Sequence, residues 1–260
     1  MTLLAVDIGN TQVKWARVVD GTIQSIQRFA TTPAPNEPEL IQRIQTDPTL
    51  TEGVTGVIYC TVVPTVGQQL HQALHTGLGE NVPILNAHPA KMTSPIDLGG
   101  YQPEQLGADR WVSLCAAQAQ FPHQSVMVLN FGTATTLDVL SAAGVYQGGL
   151  ITPGFQTFGA ILSQRTAQLP PVPLERPAGV LGKSTVACLQ SGIVNGYRAL
   201  IQGLMDQAQA ESPYPLQHVV ATGGLAPALL PLLPSGDRLI HCPTLTLEGL
   251  IHLFQQTHPA

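Results

Sequence analysis

Asp7-Ile8-Gly9-Asn10-Thr11 sets an acid, a glycine, an amide and a hydroxyl side by side, directly after the apolar run Leu3-Leu4-Ala5-Val6. A nucleotide phosphate chain needs backbone N–H donors brought close, a hydroxyl or two, and an acid to hold the metal. This segment supplies all three. Asp7, at a strand end, can hold Mg2+, usually through water. Gly9 lets the backbone approach a phosphate with no Cβ in the way. Asn10, Thr11 and Gln12 can donate hydrogen bonds, and Lys14 beyond Val13 adds a positive charge. The same residues also make an ordinary β-turn with an Asx side chain, and the segment alone does not choose between the two.

Gly132-Thr133 is a second glycine-hydroxyl turn, and Thr222-Gly223-Gly224 a third glycine-rich turn after a late apolar run. Phosphoryl transfer to a hydroxyl would also need a base near the acceptor. Gly107-Ala108-Asp109-Arg110 offers one. Asp109 can accept the hydroxyl proton, and Arg110 can steady the transferring phosphoryl group or an anionic substrate. The plainer alternative, an acid in the first turn of a helix beside a surface arginine, is favoured by composition alone. Gly182-Lys183-Ser184 imitates the tail of a Walker A loop, but Pro177 stands where the first glycine is required and no strand precedes it.

The elements that must carry these residues fall into two similar sets. Leu3–Val6 reads as a strand, followed by a tight turn, a strand over Val13–Val19, an Asp20-Gly21 hairpin turn and a strand from Thr22. Val126–Leu129, the turn at 130–133, Leu137–Leu140, the turn at Ala143-Gly144 and Val145-Tyr146 repeat that order. A shift of 123 lays Asp7 on Asn130, Gly9 on Gly132 and Gly21 on Gly144. We read this as an internal duplication of a hairpin-led α/β unit. Helices are expected over Pro38–Ile44, Gly67–His75, Leu106–Gln120, Ser184–Ala210 and Leu245–Gln256. Leu225–Leu233 is expected as a helix broken by Pro227 and Pro231. Further strands are expected at Gly56–Cys60, Val82–Leu85 and His218–Ala221, and a proline-rich loop at Leu169–Leu174. Two α/β lobes joined by short connections leave a cleft, and two phosphate-cradling turns, one per lobe, mark actin-like and sugar-kinase-like phosphotransferases.

Composition narrows the partners. The 260 residues are 44% hydrophobic and 10% charged, with a formal charge of −5, which argues against nucleic-acid binding. No apolar run is long enough for a membrane span. The N-terminal stretch reads as a first strand rather than a signal peptide. Cysteines 60, 115, 188 and 242 are far apart and are read as reduced, mostly buried thiols of a cytoplasmic protein. His71 and His75, at helical spacing without a third ligand, are read as a solvated helix face.

The motifs taken together resemble type III pantothenate kinases. They are Asp-Ile-Gly-Asn-Thr at 7–11, Val-Val-Pro at 62–64, Gly-Ala-Asp-Arg at 107–110, Phe-Gly-Thr-Ala-Thr-Thr at 131–136, Gly-Gly-Leu-Ile-Thr-Pro-Gly at 148–154 and Thr-Gly-Gly at 222–224. They keep the family's order over nearly the whole chain. The resemblance implies an α/β fold of two duplicated ribonuclease H-like (actin-like ATPase) lobes. The first lobe would comprise residues 1–117 with a C-terminal helix at 245–257, and the second residues 118–244. It implies transfer of the ATP γ-phosphate to the terminal hydroxyl of pantothenate, the first step of coenzyme A synthesis. By that similarity Asp7, Ile8, Gly9, Asn10, Thr11, Gln12, Val13, Lys14 and Thr133 bind ATP, and Asp109 is the proton acceptor. Tyr101, Gly107, Ala108, Asp109, Arg110 and Thr185 would contact pantothenate, Thr185 from the partner subunit of a homodimer. Mg2+ would accompany ATP.

Two positions depart from the family. It usually carries aspartate before Phe-Gly-Thr, where the acid helps to bind a monovalent cation, K+ or NH4+; here the residue is Asn130, whose amide oxygen can ligate K+ without the negative charge. Weaker or altered K+ dependence is expected. Gly-Lys-Ser-Thr at 182–185 has serine where the family often has asparagine, with Thr185 kept. Two rival functions remain open: a non-catalytic transcription-accessory regulator on the same scaffold, and a kinase of the same fold acting on a sugar or a short carboxylic acid.

Overall fold

The structure, a computed structural model, describes all residues except 32–33, 35–36, 48–50, 166–174, 234–237 and 259–260. The expected proline-rich loop at Leu169–Leu174 lies outside the described residues. The chain separates into two compact units, one formed by Met1–Gln120 with Thr244–Ala260 and the other by Phe121–Pro243.

In the first unit β1 (Thr2–Ile8) is apolar except at its ends and is buried from Leu3 to Ile8, as a central strand must be. It pairs antiparallel with β2 (Gln12–Val19) and parallel with β4 (Gly56–Thr61). β3 (Thr22–Ala30) and β5 (Ile84–Asn86) complete the five-stranded order β3-β2-β1-β4-β5. The Asp20-Gly21 turn has positive φ at both residues, 47° and 78°, the two-residue hairpin whose twist matches its strands. Helices α1 (Glu37–Thr46) and α2 (Pro64–Leu78) supply the core with Leu40, Ile44, Leu70 and Leu74, packed with Trp15 and Tyr59 of the sheet. Helix α3 (Ala108–Gln120) lies against the C-terminal helix α7 (Leu245–Thr257).

The second unit repeats this plan. β6 (Val126–Phe131), β7 (Ala134–Leu140), β8 (Tyr146–Pro153), β9 (His218–Thr222) and β10 (Leu239–His241) form the order β10-β9-β6-β7-β8. β6 takes the part of β1, antiparallel to β7 and parallel to β9. Even the irregularities match: the register slips between Arg17 and Val18 in one hairpin and between Val139 and Leu140 in the other. The duplication expected from the glycines is therefore present in the topology. Helices α4 (Phe155–Arg165), α5 (Thr185–Glu211) and α6 (Ala226–Leu229) follow, with a single 3-10 turn at Leu230–Leu232. Pro227 and Pro231 shorten that last segment as expected.

Several expectations needed correction. The strand expected at Val82–Leu85 is displaced to Ile84–Asn86, because Pro83 cannot join the ladder as a donor. β8 runs on to Pro153, and α4 and β10 were not foreseen. Of the cysteines, Cys60 and Cys115 are buried, Cys242 is half-buried and Cys188 is exposed. His75 is exposed, but His71 is half-buried with Nδ1 3.4 Å from the Tyr59 hydroxyl. No helix among the described residues is long and apolar enough to cross a membrane.

Candidate active site

The first turn is built by three strands. β1 ends at Ile8, and the Gly9 N–H donates to the Gln12 carbonyl at 3.1 Å. Asp7 stands opposite Lys14 in the antiparallel ladder and beside Cys60 in the parallel one, so strand periodicity turns the three side chains to one face. The Lys14 ammonium lies 3.1 Å from Asp7 Oδ2, and the Cys60 thiol donates to Asp7 Oδ1 at 3.8 Å. Asp7 is only 7% exposed, and pairing offsets the cost of taking its charge out of water. Cys60 is held well above the ordinary thiol range, first by burial and then by the Asp7 and Asp109 carboxylates, with Lys14 opposing. Asp7, Lys14 and Asp109 thus all act on one buried thiol. Asn10, Thr11 and Gln12 are exposed, whereas Val13 is buried in the core.

Asp109 occupies the first turn of α3. Its Oδ1 accepts the Arg110 N–H at 2.8 Å, and its carbonyl takes the Ser113 hydroxyl at 2.8 Å. Ser113 is in turn 3.1 Å from Thr246 of α7, and Trp111 Nε1 donates to Ser94 Oγ at 2.9 Å. Gly107 leaves room for the acid, since a Cβ there would sit 3.0 Å from Asp109 Oδ1. Arg110 is 8% exposed, so the surface-arginine reading of this motif does not hold. Arginine is rarely that buried without a task. Ala108 is buried, and Tyr101 is exposed on the loop ahead of the helix.

In the second unit the Gly132 N–H donates to the Ala134 carbonyl at 3.1 Å, a turn one residue tighter than its counterpart. Two motifs that are far from it in sequence converge on it. The Thr133 carbonyl accepts the Gly154 N–H at 3.0 Å and the Thr157 hydroxyl at 3.1 Å. A Cβ at Gly154 would come within 2.3 Å of the Gly132 carbonyl oxygen. Gly223, with φ of 96°, approaches the other side: a Cβ there would lie 2.5 Å from the Phe131 carbonyl oxygen and 2.6 Å from Asn130 Oδ1. The Leu225 N–H closes the arrangement on the Phe131 carbonyl at 3.1 Å. Thr133 itself stays exposed. Behind the turn the Thr135 hydroxyl and Tyr197 Oη, 2.5 Å apart, tie β7 to α5.

Thr185 is the first residue of α5 and is exposed. Ser184 is its N-cap, accepting the Ala187 N–H at 3.2 Å, and Gly182 lies against the backbone of Ala187 and Cys188. The hydroxyl in Gly-Lys-Ser is therefore occupied as a cap, consistent with rejecting the P-loop. Val180, Leu181 and Val186 are exposed around it at 74%, 89% and 50%.

Cation chemistry can be judged against these donors. Asp7 is a single buried carboxylate at a strand end, and no cluster of three His, Cys, Asp or Glu fit for a metal occurs among the described residues. That suits Mg2+, which is commonly held by one or two carboxylates together with substrate phosphates and water. The Asn130 amide oxygen lies where Gly132 and Gly223 both lack a side chain, a neutral oxygen donor that suits K+ more weakly than a carboxylate. Sequence reading missed Thr31, whose hydroxyl donates to the Gly9 carbonyl at 2.8 Å, as well as Cys60, Thr157 and Tyr197. Gly154 was visible only as the last residue of a motif.

Comparisons with known proteins show the family. A type III pantothenate kinase family model matches residues 3–207. The type III pantothenate kinase of Sphingopyxis alaskensis is 36% identical over 98% of this chain and 98% of its own. That of Moorella thermoacetica is 35% identical over 98% and 99%. Among solved structures, a Campylobacter jejuni protein assigned to the Baf family of transcriptional activators superposes with a TM-score of 0.62 at 19% identity, covering 98% of each chain. The ROK hexokinase of Thermus thermophilus superposes at 0.53 and 16% identity, covering 99% of this chain and all of that one. These two likenesses concern the fold, which is the duplicated actin-like and sugar-kinase-like architecture. With the family model matching most of the chain and the relatives alike over nearly its full length, the chain belongs to the type III pantothenate kinase family.

Proposed function

We propose that the chain transfers the γ-phosphoryl group of ATP to the terminal hydroxyl of pantothenate, yielding 4'-phosphopantothenate and ADP at the first step of coenzyme A synthesis. The observation that carries this reading is the grouping of Asp7, Lys14 and Asp109 about one buried position, with Arg110 buried next to the acid. A non-catalytic regulator has no use for two carboxylates and a lysine gathered about one buried position at the cost of desolvation.

Asp7 through Lys14 and Thr133 take the ATP phosphates, through backbone N–H groups, hydroxyls and the Lys14 ammonium. Asp7 would hold Mg2+ through water, and the ion would supply charge neutralisation on the phosphates. Asp109 receives the proton of the acceptor hydroxyl as the hydroxyl oxygen bonds to the γ-phosphorus and the bond to the ADP oxygen breaks. Arg110 pairs with the pantothenate carboxylate or the transferring group, and Tyr101, Gly107, Ala108 and Thr185 complete the acceptor's contacts. Asn130 would hold K+ or NH4+ through its amide oxygen, without the negative charge that favours the ion, so the K+ dependence would be weaker or altered. The exposed Val180, Leu181 and Val186 around Thr185 support a homodimer in which Thr185 serves the partner's acceptor site. The free, widely spaced cysteines support a cytoplasmic setting for the reaction.

The test is a panel of acceptors offered with ATP: pantothenate, hexoses and short hydroxy acids, with products identified by mass. Phosphopantothenate as the dominant product is expected. Turnover of another acceptor in preference would reassign the substrate, and no ATP consumption with any acceptor would favour the regulator.

A further inference from the structure

Thr31 directly follows β3 and is 3% exposed, yet it belongs to none of the motifs that signal the site. Its hydroxyl donates to the Gly9 carbonyl at 2.8 Å, and its N–H donates to the Thr11 carbonyl at 3.0 Å. A simple β-turn over residues 9–12 would spend the Gly9 carbonyl on the Gln12 N–H. Here that carbonyl goes to Thr31, while the Gly9 N–H donates to Gln12.

The consequence follows from peptide geometry. In a trans peptide the C=O and the N–H of one plane point in opposite directions. Fixing the Gly9 carbonyl on Thr31 turns the Asn10 N–H away from Thr31, and fixing the Thr11 carbonyl turns the Gln12 N–H away as well. We infer that Thr31 is a positioning residue that sets these two peptide planes, presenting the Asn10 and Gln12 amides to the phosphates of ATP. This rests on the proposed ATP-binding role of the turn. Thr31 touches no substrate. It acts by removing the freedom of the 9–10 peptide to rotate, a freedom that glycine otherwise has in excess. A turn held this way is organised before the nucleotide arrives, so ordering it costs no binding energy.

The test uses the full-length protein titrated with Mg·ATP in the absence of acceptor, comparing wild type with Thr31→Val, Thr31→Ser and Thr55→Val. Thr31→Val keeps the β-branched shape and loses the donor; Thr31→Ser restores the donor. Thr55 is the control, because its hydroxyl also donates to a carbonyl of the same sheet, that of Thr2 at 3.0 Å. Thr31→Val is expected to raise the dissociation constant about tenfold, and Thr31→Ser to bind within about threefold of wild type. With saturating ATP, kcat should be largely retained in Thr31→Val, which separates positioning from chemistry. Thr55→Val is expected to lower thermal stability while leaving ATP affinity unchanged. Equal ATP affinity in Thr31→Val and wild type, or equal weakening in Thr55→Val, would overturn the inference.

A second readout needs no variant: the Asn10 and Gln12 amide resonances of the wild-type protein should shift on adding Mg·ATP. Binding of ATP without those shifts would overturn the role of Thr31 even if Thr31→Val failed to fold. Absence of any ATP binding by the wild type would instead remove the ATP assignment of the turn, and this inference with it.

Discussion

The Asp7 carboxylate and the Lys14 ammonium, directly opposed in the β1–β2 ladder, meet at 3.1 Å with their side chains 10% and 24% exposed. The pair sets opposite charges side by side at a largely buried position. It also keeps the cation beside the turn proposed to receive phosphate. Lys14→Met should therefore act twice. It leaves Asp7 without its cation, costing roughly 1–2 kcal/mol of stability after allowance for the remaining exposure of Lys14. It also removes a charge-assisted contact to ATP, raising the KM for ATP roughly ten- to hundredfold. Steady-state kinetics together with a urea titration would separate the two effects.

Gly223→Ala should damage the second turn. The new Cβ would fall 2.5 Å from the Phe131 carbonyl oxygen and 2.6 Å from Asn130 Oδ1, at a φ of 96° that a non-glycine residue resists. Conformational strain of this kind costs about 1–3 kcal/mol before any clash is counted. A lowered thermal midpoint and a raised KM for ATP are expected. Gly224→Ala, where a Cβ meets nothing within 4 Å, should be far milder.

Much of this was legible in the chain. The paired glycines at 9 and 132 and at 21 and 144 disclosed the duplication, because turns constrain residue type locally and repeat when the unit repeats. The broken helix after Thr222 could be read from its prolines. What stayed hidden depends on contacts across long separations. Thr31 meets Gly9 over 22 residues, and Cys60 meets Asp7 over 53, with no periodicity to announce either. The extent of β8 was masked by Gly148-Gly149, which weaken a strand signal. The one-residue difference between the Gly9 and Gly132 turns cannot be seen with a fixed offset of 123. Composition alone left a surface position open as the plainer alternative for Arg110, because charge is usually a guide to exposure, and its burial in α3 removes that alternative.

Asn130→Asp should strengthen monovalent-cation activation. A carboxylate at that position adds a full negative charge beside the gap left by Gly132 and Gly223. The K+ concentration for half-maximal activity should fall, roughly tenfold for a gain of one charge-assisted contact. A wild-type K+ titration already showing ordinary tight activation would contradict the weak role given to Asn130.

Acid should destabilise the first unit through its histidines. His71, His88 and His252 all have lowered pKa values, in each case chiefly through burial, with His75 and Lys91 adding repulsion at His71. The native state therefore resists protons that the unfolded chain accepts below its ordinary value of about 6.5. Stability is present above that pH and is lost as the pH falls through the lower native values. The thermal midpoint should drop between about pH 7 and pH 5, and His71→Gln should flatten part of that slope. A midpoint that rises on acidification would contradict the assignment.

The central claim is best tested by ATP-dependent phosphorylation of pantothenate by the purified protein beside Asp109→Ala, each with and without K+ or NH4+. The account predicts turnover by the wild type and a fall of about 10²–10⁴ in kcat for the variant, with ATP binding preserved. Full turnover by Asp109→Ala would remove Asp109 as the base. No turnover by well-folded wild-type protein under any cation would contradict the pantothenate kinase assignment itself.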